Sequence, residues 1–322
     1  MPPSLTDSVR AACRAVAERA RFVRIAEGRL GAYAASLPLE QAARPAHDPR
    51  LHCLGHGDDT VAFFLTLDAI NFGSGYFPHL RKRPGLSGYG TVASCLAERF
   101  AANGPLSAEE LAHLAAEDCL RLFGQDPANA PIRELMGLFA RALSDLGRYL
   151  LERFGGSFVR LVEAAEASAE RLAGLLIEMP FLNDAEPYDG LTVPFYKRAQ
   201  LAAADLAIAF GGQGRGRFDD LDRLTMFADN LVPHVLRIDG VLSYDEGLAA
   251  RIDAEELLPA GSAEEVEIRA CAVHAVELMA GALRGSGRQV NAMGLDYLLW
   301  NRGQQASYKA AKPRHRTRTV FY

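Results

Sequence analysis

The chain has 322 residues, of which 49% are hydrophobic and 23% are charged, and this balance excludes a disordered or collagen-like protein. The formal net charge of -5 excludes a broadly basic nucleic-acid-binding surface but is compatible with a local basic patch. The apolar runs are shorter than the roughly 20 residues that span a bilayer, and the first residues lack the pattern of a secretory signal. With five widely spaced cysteines and no CxxC pair, we expect a soluble, cytoplasmic protein without a disulfide framework.

Helical periodicity dominates the sequence. Apolar residues that recur every three or four positions predict helices over 9–35, 107–123, 132–154, 157–176, 196–210 and 263–283. The last of these begins with a capping box, in which Ser262 is followed three residues later by Glu265.

Strand signals are confined to 60–67 and 318–322, which is too little for an independently stable sheet. The helical pattern breaks over 179–192, a stretch that is suited to joining two helical lobes. We therefore predict a mainly α fold with few or no strands, made of an N-terminal lobe (1–185) and a C-terminal lobe (186–322).

The first segment that mixes aromatic and polar residues is 67–78, in which glycines and a proline follow Asn71 and Phe72. Glycine allows the backbone of such a loop to approach a ligand closely. An aromatic residue beside an asparagine suits a planar ligand that is stacked on its face and hydrogen-bonded at its edge. A tight turn packed by its own aromatic residues explains the same pattern.

The second segment contains Lys197, a glycine-rich turn, a predicted helix over 221–228 and then Asp229. The glycines follow no strand, so a dinucleotide-binding fingerprint is not expected. Pro233 favours the first turn of another helix, which places Asp229 just before the positive end of that helix, where negative charge is stabilised. The carboxylate is suited to stabilising a developing cation or to capping the helix, and the two roles are compatible.

The third segment contains Asp296 and, four residues later, Trp300, the only tryptophan of the chain. This spacing places both side chains on one face of a helix. A carboxylate accepts two N–H bonds from a guanine-type edge, and an aromatic side chain covers the ring. The plainer alternative is a surface aspartate beside a core tryptophan.

Three weaker signals complete the set of candidates. The histidines and aspartates of 52–59 match no specific metal site, so neither a metal nor another cofactor is predicted. Glu267 and Arg269 lie in an otherwise apolar helix and suit an internal ion pair as well as a functional site. The basic run 312–318 is either a solvated segment or a phosphate contact.

Several of these segments resemble the queuosine salvage protein family. The similar stretches are Leu67-Asp-Ala-Ile-Asn-Phe, Tyr196-Lys-Arg-Ala-Gln-Leu, Leu224-Thr-Met-Phe-Ala-Asp, Val266-Glu-Ile-Arg-Ala, Val290-Asn-Ala, Asp296-Tyr-Leu-Leu-Trp and His315-Arg-Thr-Arg-Thr-Val-Phe-Tyr. The resemblance implies an all-α fold related to the helix–hairpin–helix DNA glycosylases. It also implies hydrolysis of queuosine 5′-monophosphate to queuine and ribose 5-phosphate, with no cofactor, no stable nucleic-acid partner and no membrane.

The resemblance also implies roles for individual residues. Asp229 matches the catalytic aspartate and Lys197 acts beside it electrostatically, while the predicted substrate contacts are His52, Asn71, Phe72, Phe227, Glu267, Asp296 and Trp300. Asp296 is assigned to the base edge, and exchange of the two aspartate roles is the main alternative. Glu267 is assigned to the ammonium of queuine, and Lys197 or a basic residue of the tail to the 5′-phosphate. The alternative functions are a DNA glycosylase and a non-catalytic queuine carrier.

Overall fold

The computed structural model describes residues 3–42 and 45–322. Its α-helices are α1 (Leu5–Arg19), α2 (Glu27–Ser36), α3 (Leu39–Ala42), α4 (Asp58–Ala69), α5 (Gly88–Asn103), α6 (Ala108–Ala112), α7 (Ala116–Leu122), α8 (Ala130–Phe154), α9 (Phe158–Ala164), α10 (Ala169–Leu176), α11 (Lys197–Ala209), α12 (Leu231–Ile238), α13 (Glu246–Asp253), α14 (Ala263–Gly285), α15 (Ala292–Gly303) and α16 (Ala306–Ala311). The strands are β1 (Val23–Ile25), β2 (Ala185–Tyr188), β3 (Leu191–Pro194) and β4 (Leu242–Tyr244).

The mainly α prediction is confirmed. In the described part of the chain the strands form two antiparallel pairs, β1 with β4 and β2 with β3. Each strand has three or four residues, so the pairs depend on the helices packed around them. Ser262 caps α14 by accepting the N–H of Glu265 as predicted, whereas the Glu265 carboxylate accepts the N–H of Gly261 instead of completing a capping box. No described helix is both long and apolar enough to cross a membrane.

The single helix predicted over 9–35 is wrong, because this region contains α1, β1 and α2. The backbone becomes extended at Ala20, where α1 ends. The Glu267 carboxylate then accepts hydrogen bonds from the N–H groups of Phe22 and Val23, and β1 pairs with β4. These partners lie more than 200 residues away in the sequence, so local periodicity does not reveal the break.

The helix predicted over 107–123 is two helices, α6 and α7, and the helix predicted over 157–176 is also two, α9 and α10. Between α9 and α10, Glu166 and Ala167 have positive φ angles of 48° and 58°, a conformation that an α-helix does not contain. Ser168 then caps α10, and its hydroxyl donates to the carboxylate of Asp220. A local cap therefore restarts the helix and outweighs the continuous apolar pattern.

The strand predicted over 60–67 is wrong, since these residues form the middle of α4. Every residue of 60–69 is buried, and a helix that is apolar on all sides lacks the periodicity that distinguishes it from a buried strand. The segment 318–322 forms no strand, and Val320 instead accepts a hydrogen bond from Arg198 at 2.6 Å. The helix predicted over 221–228 is reduced to one 3₁₀ turn followed by irregular backbone.

Two hydrophobic cores hold the helices together. One core is built largely from residues of α4 to α11, and the other combines α1 and α2 with α12, α14 and α15. The N-terminal helix α1 packs directly on α14, so the cores do not follow the order of the chain. The division into lobes 1–185 and 186–322 stays a prediction.

Candidate active site

A cavity of about 850 Å³ is lined by residues of the first core and by a residue that packs against the second. Its walls come from the loop that follows α4, one face of α11, the start of α12, one face of α15 and the segment 312–322. Phe72 belongs to the first core and Trp300 packs against the second. The volume lies in the range of small-molecule sites, which are about 300–1,000 Å³.

Eight of the nine predicted site residues line this cavity, namely His52, Asn71, Phe72, Lys197, Phe227, Asp229, Asp296 and Trp300. They come from stretches that are up to about 250 residues apart in the sequence. The fold therefore brings together the three segments that the sequence pattern singled out. The ninth residue, Glu267, lies elsewhere.

Glu267 is buried in the second core, and its carboxylate is occupied by the protein itself. It accepts hydrogen bonds from the backbone N–H groups of Arg21, Phe22 and Val23 and from the hydroxyl of Tyr188. Glu267 does not line the cavity, so the structure does not bring it together with the other eight predicted site residues. A buried carboxylate needs such partners, and here they fix β1 against α14.

Arg269 forms an internal ion pair, as one reading of the sequence predicts, but its partner is not Glu267. Its guanidinium contacts the carboxylate of Asp184 at 2.5 Å and lies 3.6 Å from that of Glu265. The same group lies over the rings of Phe195 and Tyr322. Because Tyr322 lines the cavity, this buried cluster supports one wall of the site.

Lys197 begins α11 and extends beneath the cavity. Its ammonium donates a hydrogen bond to the backbone oxygen of Asn71 at 3.3 Å. Burial lowers the pKa of Lys197, while the carboxylates of Asp229, Asp68 and Asp296 act in the opposite direction. Lys197 is therefore a buried cation surrounded by acidic groups.

Asp229 lies two residues before Leu231, the first residue of α12, close to the helix start that Pro233 predicts. Its Oδ1 accepts the N–H groups of Leu231 at 2.8 Å and Val232 at 3.1 Å, so one carboxylate oxygen caps the helix. Its Oδ2 accepts no hydrogen bond from the described residues, and the half-buried side chain lines the cavity. The positive helix end stabilises negative charge at this position, and the second oxygen is available to a ligand.

Asp296 and Trp300 differ from the plainer alternative of a surface aspartate beside a core tryptophan. Asp296 is the buried residue of the two, with 4% exposure, and Trp300 is half-buried. Oδ1 of Asp296 accepts the N–H of Phe227 at 3.1 Å. Burial and the negative charge of Asp229 raise the pKa of Asp296 well above its usual range. The two aspartates therefore differ in their surroundings although both reach one cavity.

His52 lines the cavity, but its ring nitrogens are already engaged. Nδ1 lies 2.8 Å from the backbone oxygen of Asp48, and Nε2 lies 2.8 Å from the hydroxyl oxygen of Tyr89. A carbonyl oxygen only accepts, so Nδ1 carries the hydrogen and Nε2 accepts that of Tyr89. Burial and neighbouring His47 lower the pKa of His52, which favours this neutral form. His52 therefore orients Tyr89, whose ring packs edge-on against that of Trp300 with 5.9 Å between the ring centroids.

The structure adds cavity residues that the sequence reasoning missed, among them Tyr89, Asp205 and Tyr297. Lys197, Leu201 and Asp205 are spaced four residues apart along α11, and all three line the cavity. The one sequence signal for Asp205 is its spacing of eight residues, or two helical turns, from Lys197 in an alanine-rich helix, and that signal was not used. The tyrosines carried no comparable signal.

Besides Lys197, five lysines and arginines line the cavity, namely Lys82, Lys309, Lys312, Arg314 and Arg316. Arg316 donates to the backbone oxygen of Glu255, and Lys312 lies 3.5 Å from the carboxylate of Asp253. Arg314 forms no ion pair within 4.0 Å among the described residues, although the charge of Asp229 acts on it. The basic run 312–318 thus contributes to the cavity instead of being a solvated segment.

Comparison with known proteins finds one family model and several relatives that carry queuosine in their names. A family model described as "Queuosine salvage protein" matches residues 51–322. A protein of Sphaerobacter thermophilus named queuosine 5′-phosphate N-glycosylase/hydrolase is 36% identical over 96% of this chain and 96% of its own length. A protein of the same name from Mus musculus is 34% identical over 98% of each chain. A third, from Dictyostelium discoideum, is 34% identical over 82% of this chain and 78% of its own.

Proposed function

The chain belongs to the queuosine salvage protein family, and from this membership we propose that it hydrolyses the N-glycosidic bond of queuosine 5′-phosphate. The products are queuine and ribose 5-phosphate. The observation that carries this proposal is the meeting of Asp229, Asp296 and Lys197 in one cavity of nucleotide size. The cavity supplies carboxylates for a cationic transition state and for a purine-like base, and cations for a phosphate.

The leaving group determines what the site has to supply. Queuine is a 7-deazaguanine with carbon at position 7, so protonation of N7 does not assist its departure. Stabilisation of the positive charge that develops on the ribosyl ring then carries more of the catalysis. Oδ2 of Asp229 suits this task, since its carboxylate is held by two N–H groups of α12 and keeps one oxygen open.

Asp296 suits the base edge. Its Oδ1 is fixed by the N–H of Phe227, and a carboxylate accepts N–H bonds from N1 and the 2-amino group of a guanine-type base. Phe72, Phe227 and Trp300 provide apolar faces for the ring. The deeper burial of Asp296 supports the base-reading role, and the helix end at Asp229 supports the role at the ribose.

Arg314 is the proposed contact for the 5′-phosphate. It has no ion-pair partner among the described residues, and Lys309 and Lys312 line the same cavity. A guanidinium presents paired N–H donors that match phosphate oxygens. Lys197 lies among carboxylates and is assigned to balancing their charge. This distribution supports an orientation of the substrate with its phosphate towards the basic run 312–318 and its base towards α15.

Further parts of the proposal follow from the family and the charge balance. The fold is related to that of helix–hairpin–helix DNA glycosylases, with the site between two helical lobes. The net charge of -5 argues against a stable nucleic-acid partner, because duplex binding relies on many phosphate contacts. The reaction uses water and needs no cofactor. The protein acts on nucleotides released in the cytoplasm.

The test is incubation of the purified protein, with EDTA, with queuosine 5′-monophosphate and separately with queuosine. Liquid chromatography with mass spectrometry follows queuine and ribose 5-phosphate. Equimolar release of both from the monophosphate is the expected result. Saturable queuine binding without release from either substrate would instead identify a carrier, and retarded duplex DNA in a low-salt gel shift would favour a DNA glycosylase.

A further inference from the structure

We propose that Asp205 binds the secondary ammonium on the side arm of queuine, in a subsite that also contains Tyr297, Tyr89 and His47. This inference rests on the proposed function and deepens it. It assigns to a different carboxylate the task that the sequence assigned to Glu267. The subsite occupies the cavity wall formed by the C-terminal half of α11.

The position of Asp205 follows from helix geometry. Lys197, Leu201 and Asp205 lie on one face of α11, and all three line the cavity. Two helical turns separate the first from the last, which is about 12 Å along the axis. Asp205 therefore adds to the cavity wall a carboxylate that lies two helical turns away from Lys197.

The carboxylate of Asp205 is buried without a cationic partner. Its exposure is 3%, and its Oδ1 accepts a hydrogen bond from the hydroxyl of Tyr297. Its Oδ2 accepts none from the described residues, and no lysine or arginine among them lies within ion-pair distance. A buried carboxylate without a cation is unfavourable. A cationic ligand that enters the cavity can therefore form a favourable ion pair with Oδ2 of Asp205.

The negative charge of Asp205 acts on neighbouring titratable groups. Burial and the charge of Asp205 raise the pKa of Asp68 well above its usual range. Burial and the same charge raise the pKa of Tyr297, so its hydroxyl keeps the proton that it donates to Asp205. The nearest histidine, His47, directs Nε2 to the backbone oxygen of Asp205 at 3.0 Å and lies 3.9 Å from its Oδ1.

The side arm of queuine has complementary chemistry. It joins position 7 of the base to a cyclopentenediol through a secondary amine, which carries a proton at neutral pH as lysine does. The ammonium matches Oδ2 of Asp205, and the two hydroxyls match the oxygens of Tyr89 and Tyr297. 7-Deazaguanine itself has neither the ammonium nor the hydroxyls, so it has no group that binds these side chains. Asp205 is thus expected to set specificity for the arm rather than to act in bond cleavage.

Calorimetry of three bases tests the assignment, with wild type compared with Asp205→Asn. Queuine carries the ammonium and the diol, 7-aminomethyl-7-deazaguanine carries the ammonium alone, and 7-deazaguanine carries neither. Loss of one partner of a buried charge pair corresponds to at least about a thirtyfold loss of affinity. We expect that loss of affinity for queuine and for 7-aminomethyl-7-deazaguanine. The affinity for 7-deazaguanine should change by less than about threefold.

Asp239→Asn is the matched control. Asp239 also accepts tyrosine hydroxyls, those of Tyr33 and Tyr308, but it does not line the cavity. Its variant should lower Tm and leave all three affinities unchanged. Equal losses of affinity for all three bases in Asp205→Asn would overturn the assignment. A loss of affinity for queuine alone would also overturn it, because Asp205 would then bind the diol and not the ammonium. Failure of wild-type protein to release queuine from queuosine 5′-phosphate would reject the proposed function instead.

Discussion

Replacement of Asp229 by asparagine separates the two tasks of this side chain. Oδ1 caps α12 by accepting the N–H groups of Leu231 and Val232, and the amide oxygen of asparagine accepts the same bonds. The amide nitrogen takes the place of Oδ2, so the substitution removes the charge and preserves the shape. Loss of one preorganised electrostatic group typically costs about 10²–10³ in turnover, or about 2.7–4 kcal/mol. We therefore expect Asp229→Asn to lose at least about a hundredfold in kcat.

The cap allows the electrostatic effect to be distinguished from a loss of stability. Asp229→Asn should keep the free energy of unfolding within about 1 kcal/mol of wild type, whereas Asp229→Ala also removes the cap and should cost about 1 kcal/mol more. Both variants should lose similar turnover while still binding queuine. Steady-state release of queuine at saturating queuosine 5′-phosphate gives kcat, and calorimetry gives the affinity for queuine. Near-normal turnover in Asp229→Asn would remove this residue from the mechanism, and loss in the alanine variant alone would reduce it to a helix cap.

Three further predictions concern the base, the phosphate and the scaffold. Because burial raises the pKa of Asp296 and the ionised form accepts the N–H groups of the base, queuine affinity should increase as the pH rises through that pKa. Asp296→Ala should bind weakly at every pH; equal calorimetric affinities for the two proteins would contradict the base-reading role. Arg314→Ala should lower kcat/KM for queuosine 5′-monophosphate much more than for queuosine. Lys197→Ala should lower kcat/KM equally for the two substrates. The reverse pattern would identify Lys197 as the phosphate contact. Arg269→Ala should destabilise the fold by about 3–5 kcal/mol, since it leaves the carboxylate of Asp184 buried without its cation, and an unchanged denaturation midpoint would refute that.

Local chemistry was sufficient to predict much of the helical fold. The sequence correctly predicts a long helix at 132–154, because apolar residues face the core on one side and a terminal glycine ends the helix at Gly155. The same reasoning fails for α4, which is buried on all sides and has no polar face to reveal its period. It also fails at β1, where the break is stabilised by a carboxylate from α14.

The site shows the same division between local and long-range information. Asp229 was predictable because Pro233 marks the start of a helix just after it. The role of Glu267 could not be predicted, since the sequence indicates that a charged residue lies in an apolar helix but does not show what that residue contacts. Asp205 was missed because Tyr297 and His47, which define its surroundings, lie about 90 and 160 residues away in the sequence.

Comparison of wild-type protein with Asp229→Asn on queuosine 5′-monophosphate tests the central claim most directly. Queuine and ribose 5-phosphate are quantified together in the same reaction, with EDTA present. We predict equimolar formation of both products by the wild-type protein and a rate at least about a hundredfold lower for the variant. Absence of ribose 5-phosphate with the wild-type protein, or equal rates for the two proteins, would contradict glycosidic hydrolysis assisted by Asp229.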